Sequence, residues 1–316
     1  MLNVFTYEHN RFVPTELATR QQHGDDDMVW IDLSSPTPAE IETVAEYSQL
    51  DVPELQETVE IEASSHYEVY ADGLQVNCSF LHQVDGVYTI TNVAFLADGN
   101  CLISVCAREV PILTRLQTRK TANGDLIDGP LATVIALIED SIERLADLSE
   151  AGHLTAEKIG RQIFNREDTI QEDIIDKLSR EDDLNGKIRL CLMDAQRDLN
   201  FLLRRGRLTE AGAHTVNDIL EDIKTLLSHN NFLSERLDFL LNAALGFINI
   251  EQNKIIKIFS IVAVVFMPPT VIASIYGMNF RHLPELSWYW GYPMSLLLMT
   301  CAGIAPYLYF KNKGWL

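Results

Sequence analysis

Positive charge is scarce in this chain of 316 residues: 25 lysines and arginines stand against 45 aspartates and glutamates, a formal net charge of −20. So negative a surface repels phosphate backbones and anionic headgroups and concentrates cations, divalent ones most strongly. Nucleic acid is therefore excluded as a partner, and metal ions or basic proteins are favoured. Cysteine pairing is missing too. Cys78, Cys101, Cys106, Cys191 and Cys301 form no CxxC pair and have no histidine at ligand spacing, which predicts reduced, mostly buried thiols in a cytosolic compartment. Enzymatic signatures are absent: no HExxH or HxH among eight histidines, no GxSxG elbow and no Gly-rich phosphate loop after a strand. The expectation is a protein that is not an enzyme and holds no organic cofactor. The N-terminal MLNVFTYEHNRFVPTE lacks the basic and apolar regions of a secretory signal, which predicts a cytoplasmic location for the acidic region.

Charge of either sign runs out toward the C-terminus. Residues 254–316 hold five cations, Lys254, Lys257, Arg281, Lys311 and Lys313, and one anion, Glu285, so this segment is net +4 and residues 1–253 are net −24. Ile258 to Ile275 is 18 residues without charge, the length that crosses a hydrocarbon core of ~30 Å. A second uncharged stretch runs from Trp288 to Phe310, opening on WYWGY and closing on YLYF, aromatic at both ends as interfacial belts are. Two such runs argue for membrane spans over a buried hairpin. Lysines flank the pair on the outside of the hairpin, so the positive-inside rule predicts a multi-pass protein with both termini cytoplasmic and the short loop external.

What precedes is rich in structure. MVWIDL (28–33), GLQVNCSFLHQV (73–84) and YTITNVAFLADGNCLISVCA (88–107) carry β-branched and aromatic residues broken by Asp85-Gly86 and Asp98-Gly99, a pattern of strands and hairpins. Pro38–Leu50 and Val52–Ala63 read as helices, giving an α/β domain. From Pro130 the apolar spacing turns helical, with Glu139, Asp140, Glu143, Asp147 and Glu150 on the polar face. A second acidic helix, from Glu167 to about Arg205, carries Glu172, Asp173, Asp176, Glu181, Asp182 and Asp183 on its exposed positions. For any one carboxylate the simple reading is a solvated surface; as a group they offer hard oxygen ligands to Mg²⁺ or Ca²⁺. From Thr215 to Ile275 no proline precedes Pro268, which predicts one helix running from a cytoplasmic stalk into the first span.

Along that helix Asn253, Ile256, Ser260, Ala263, Met267, Thr270 and Ser274 recur in steps of three or four and share one face. A small, polar and flexible stripe serves equally for close helix packing or for the wall of an aqueous pore. Its neutrality suits an ion that keeps its water. Two helices cannot enclose a water path alone, so any pore requires a ring of subunits.

The first span ends in Tyr276-Gly277-Met278-Asn279, followed by Phe280 and a loop containing Leu283-Pro284-Glu285-Leu286. Taken alone, Gly277 is an ordinary left-handed helix cap and Asn279 a turn residue. Placed at the outer end of the first of two terminal spans, and together with KIRLCLMDAQRDLNFL, GFINIEQNKIIKIFS, FMPPT and KNKGWL, the segment resembles the CorA family of magnesium transporters, in its enterobacterial form. The resemblance covers the whole architecture and is most specific over residues 187–316. It implies a homopentameric funnel in the bacterial inner membrane: cytoplasmic α/β domain (1–130), acidic helical hairpin (131–214), stalk (215–257), first span (258–280), external loop (281–287), second span (288–310) and basic tail (311–316). It implies a selectivity filter of Gly277, Met278 and Asn279, with Asn279 on hydrated Mg²⁺, and a pore lined by Asn253, Ile256, Ser260, Ala263, Met267 and Thr270. Glu285 stands where the family's loop keeps an acid. Mg²⁺, and with it Co²⁺ and Ni²⁺, would enter down the membrane potential, and cytoplasmic Mg²⁺ would close the pore through acidic sites whose ligands the resemblance does not identify. Leu283, Asn312 and Gly314 depart from the usual pattern without touching the filter. Two other readings stay open: a zinc transporter of the ZntB type, which the Met of Gly-Met-Asn disfavours, and a membrane-anchored sensor or scaffold.

Overall fold

Two tight turns organise the sheet. Asp85 and Gly86 both adopt positive φ (49° and 83°), the conformation of the two-residue turn whose twist matches paired strands. They join β5 (Gly73–Val84) to β6 (Val87–Asp98) in an antiparallel ladder that pairs Val84 with Val87 and Gly73 with Asp98. Gly99, at φ 52°, turns the chain into β7 (Cys101–Cys106), so the stretch 88–107 is two strands.

This computed structural model describes residues 1–8, 11–17, 28–48, 50, 52–53, 67–69, 73–118, 129–165, 172–278 and 288–314. The remaining elements of the sheet are β1 (Leu2–Glu8), β2 (Arg11–Pro14), β3 (Val29–Ser34) and β4 (Tyr67–Val69). The order is β2-β1-β3-β7-β6-β5-β4, antiparallel throughout except where β3 lies parallel to β7. The helices are α1 (Pro38–Ser48), α2 (Pro111–Thr118), α3 (Pro130–Asn165), α4 (Glu172–Arg205), α5 (Glu210–Tyr276) and α6 (Gly291–Asn312). Strands β1, β2 and β4 and helix α2 are additions to the sequence reading; the helix read over 52–63 lies outside the described residues apart from Val52 and Pro53.

The sheet is apolar on both faces, which is why its central strands show only partial alternation. On one face Trp30, Val76, Phe80, Phe95 and Leu102 meet Leu113 of α2, Leu137 of α3, Leu192 of α4 and Ile219 of α5. On the other, Val29, Ile31, Leu33, Leu96, Ile103 and Val105 receive Val44 of α1. Helix α1 begins in a reciprocal cap: the Glu40 carboxylate accepts from the Thr37 backbone N–H at 2.8 Å, and the Glu40 N–H is donated to the Thr37 hydroxyl at 3.4 Å. That backbone hydrogen bond is the main reason the Glu40 carboxyl sits below its ordinary range.

The chain divides into two compact units, Met1–Leu241 and Asn242–Leu316. Helix α5 contributes residues to both, and α6 belongs to the second.

Candidate ion pathway

Among the described residues two helices are long and apolar enough to cross a bilayer, α5 and α6. Within the second unit, the side of α5 that α6 covers is explicit. A Cβ at Gly303 of α6 would stand 3.4 Å from Pro269 Cγ and 3.6 Å from the Val265 carbonyl, so the helices approach closely here, with space for a methyl group and for little more. Ile261 is buried and Val265, Pro268, Pro269, Ile272 and Tyr276 are half-buried on this side. The matching side of α6 is a seam of Gly291, Ser295, Met299, Ala302, Gly303 and Pro306, buried or half-buried, while Leu296, Leu297, Leu298 and Tyr309 are exposed. Small residues at steps of three and four along α6 are the sequence signal of this seam, beyond the readings given above.

Asn253, Ile256, Ser260, Ala263, Met267, Thr270 and Ser274 are all exposed. At 100° per residue they centre on the side of α5 turned away from α6. The structure thus brings them onto one open face, and it covers none of them.

Two features modify the helix at this level. Pro268 and Pro269 continue the helix without donating, so the carbonyls of Val264 and Val265 lose their usual N–H partners. The Thr270 hydroxyl donates back to the Phe266 carbonyl at 2.7 Å, which occupies its proton and leaves its oxygen as an acceptor. At the end of α5, Gly277 N–H reaches the Ala273 carbonyl at 2.9 Å and Met278 N–H the Ile275 carbonyl at 3.3 Å. Gly277 does not take positive φ, so the left-handed cap is corrected: its lack of a side chain matters through proximity, since a Cβ there would lie 3.1 Å from the Ala273 carbonyl. Met278 is about half exposed. Asn279 and Glu285 lie outside the described residues.

Three of the carboxylates read on the acidic helix α4 are paired with cations on the same helix. Lys177 donates to Asp173 at 2.6 Å, Arg180 lies 2.8 Å from Asp176, and Lys187 donates to Asp183 at 2.6 Å, each four residues on along the helix. Glu181, read as an exposed carboxylate, is half-buried, and burial raises its pKa. Among the described residues no three His, Cys, Asp or Glu side chains converge as a metal site.

Comparison with known proteins decides the family. Residues 25–312 match the family described as CorA-like Mg²⁺ transporter protein. The chain belongs to the CorA family. It is 40% identical over 321 residues to the magnesium transport protein CorA of Yersinia pseudotuberculosis and 42% identical over 320 residues to that of Sodalis glossinidius, covering the whole of both chains in each case. Among solved structures, the complete CorA magnesium transporter of Methanocaldococcus jannaschii superposes with a TM-score of 0.75 at 17% identity, over 100% of this chain and 99% of that one. At that identity the superposition speaks for the fold, an N-terminal α/β domain followed by a long helix and an apolar C-terminal helix. Membership in a transporter family also means the chain is not an enzyme.

Proposed function

We propose that the chain is one subunit of a homopentameric funnel that carries Mg²⁺, and also Co²⁺ and Ni²⁺, across the bacterial inner membrane into the cytoplasm. The single observation that carries this reading is the neutral stripe from Asn253 to Thr270, exposed on the side of α5 away from α6, in a chain whose full-length relatives are magnesium transport proteins. Five such faces turned inward form an uncharged wall, with α6 and its exposed leucines toward lipid. Residues 258–280 and 288–310 are the spans, 281–287 the external loop bearing Glu285, and 1–257 with 311–316 the cytoplasmic parts.

Gly277, Met278 and Asn279 form the outer filter. Mg²⁺ gives up water reluctantly and holds oxygens at about 2.0–2.1 Å, so a ring of neutral Asn279 amide oxygens accepts hydrogen bonds from the hydrated ion without stripping it. A carboxylate ring would hold the ion more tightly and slow its exit. A divalent ion gains roughly 4–5 kcal/mol per 100 mV on entry, so the potential alone suffices. Cytoplasmic Mg²⁺ closes the ring by binding the closed arrangement better than the open one.

The test is Mg²⁺ entry into liposomes holding a magnesium-sensitive dye under an inside-negative potential, with the Asn279→Ala variant alongside. Flux in the native protein and its loss in a variant that keeps the pentamer is the expected result. Equal flux in both would remove Asn279 from the filter. No flux in either, with zinc entry under the same potential, would move the reading to a zinc transporter, and no entry of any ion would leave a membrane tether.

A further inference from the structure

Asp198 of α4 is only 1% exposed, on the side of the helix that packs against the sheet. Its Oδ1 accepts from the Tyr67 hydroxyl of β4 at 2.8 Å, while Oδ2 is buried without a hydrogen-bond partner. Cys78 of β5, itself buried, presents its thiol to the same carboxyl. The neighbouring cation, Arg197, spends its donors elsewhere: Nε on the Tyr67 hydroxyl at 3.1 Å and Nη2 on Asp194 at 3.2 Å. Asp194 also accepts from Ser79 of β5 at 2.9 Å. The titratable and charged groups facing Asp198 are thus Tyr67 from β4, Cys78 from β5, and Asp194 and Arg197 from α4 itself.

A carboxylate in this position is stabilised at one oxygen and desolvated at the other, with a second carboxylate nearby. Burial is the chief cause that pushes the Asp198 carboxyl up to about 7, and Asp194 adds to it against the opposing hydrogen bond from Tyr67. The joint it occupies is the weakest place for such a group, because β4 is a three-residue edge strand.

We propose that Asp198 is a proton-operated latch between α4 and the β4–β5 edge of the sheet: with a proton on Oδ2 the joint stays closed, and without it the half-paired carboxylate draws the joint open to water. The folded carboxyl holds its proton more tightly than the ordinary value of 3.8, so closure is favoured at low pH. That advantage is lost as pH rises from the ordinary value through about 7 and levels off above that. The opening equilibrium rises about tenfold between about pH 6 and about pH 8. The latch concerns the folded domain and does not rest on the transport reading.

Hydrogen exchange of the full chain in detergent, with rates corrected for intrinsic pH dependence, tests it. Native protein is expected to lose about tenfold in protection over that pH range in the segments 67–69, 73–84 and 194–202. Asp198→Asn, which keeps an acceptor for Tyr67 without a titrating group, is expected to give a flat profile. Tyr67→Phe retains the ring stacked on Phe201 at 4.3 Å but removes the hydroxyl, so the transition persists with its midpoint moved up. An Asp198→Asn profile as steep as the native one overturns the latch, and so does a native loss spread evenly over both units. If the asparagine variant does not fold, an unmoved midpoint in Tyr67→Phe overturns it alone.

Discussion

The two units of this chain treat apolar side chains in opposite ways. In Met1–Leu241 the largest of them, Trp30, is fully enclosed, with its indole N–H donated to Ser104 at 2.9 Å and its ring edge-on to Phe12 at 5.1 Å. In Asn242–Leu316, Phe259 and Phe266 are 71% and 65% exposed. The first unit buries the core of its sheet within a single chain, though Phe232 and Phe239 on α5 stay exposed. The second leaves such side chains on its surface, and α5 and α6 meet there at small residues. The same composition of Val, Ile, Leu and Phe therefore means a core in one place and an outer surface in the other.

The largest expected effect breaks this symmetry directly. Trp30→Ala is expected to destabilise the chain by about 3–5 kcal/mol, as large-to-small changes in cores do, and Phe266→Ala by less than about 1 kcal/mol in thermal unfolding of the detergent-solubilised protein. Equal losses would mean that Phe266 is packed in a way a single chain does not display. Next comes Ser104→Ala. Ser104 donates to Asp32 Oδ1 at 2.7 Å while accepting from Trp30, so its removal leaves a buried indole N–H and a buried carboxyl short of a partner. A loss of about 2 kcal/mol is expected in denaturant titration, and a neutral result would show that the pair finds other partners. The smallest effect lies in the second unit. Gly303→Ala places its Cβ at ordinary contact distance from Pro269 and should cost under about 0.5 kcal/mol, whereas Gly303→Leu should cost about 1–3 kcal/mol, read as dissociation of α6 from α5 in thermal melts. Two equal melts would show that the seam does not need a close approach.

What the sequence made legible follows the same division. The two apolar helices were plain because long uncharged runs stand out in so charged a chain, and β5, β6 and β7 were plain because Asp85-Gly86 and Gly99 punctuate them. Helix α5 begins at Glu210, five residues before the expected Thr215, since the segment after Arg207 lacks apolar periodicity. Strands β1, β2 and β4 escaped because LNVFTYE and RFVP mix polar and apolar residues at the sheet margin, and β4 has three residues. Both α1 and α4 were located by their flanking residues and charge, yet the Asp198 cluster was invisible, because its members are 131 positions apart and meet only when β4 pairs with β5. On α5, periodicity was enough to group the stripe residues, while the reason for Gly277 was not accessible: whether glycine serves conformation or proximity is decided by the Ala273 carbonyl, which a Cβ would meet at 3.1 Å.

The ion pairs of α4 have a consequence for the electrostatics of the whole chain. A formal count of −20 gives the sum of the charges and not their arrangement. Asp173, Asp176 and Asp183 each carry a tethered cation one helical turn on, so what they project is a set of dipoles whose field falls off more steeply with distance. An arriving divalent ion meets little long-range pull from them, and to bind one it must first displace an ammonium or guanidinium that cannot diffuse away. Added salt loosens those pairs as it screens the ion, so the helix buffers its own attraction for cations against changes in ionic strength.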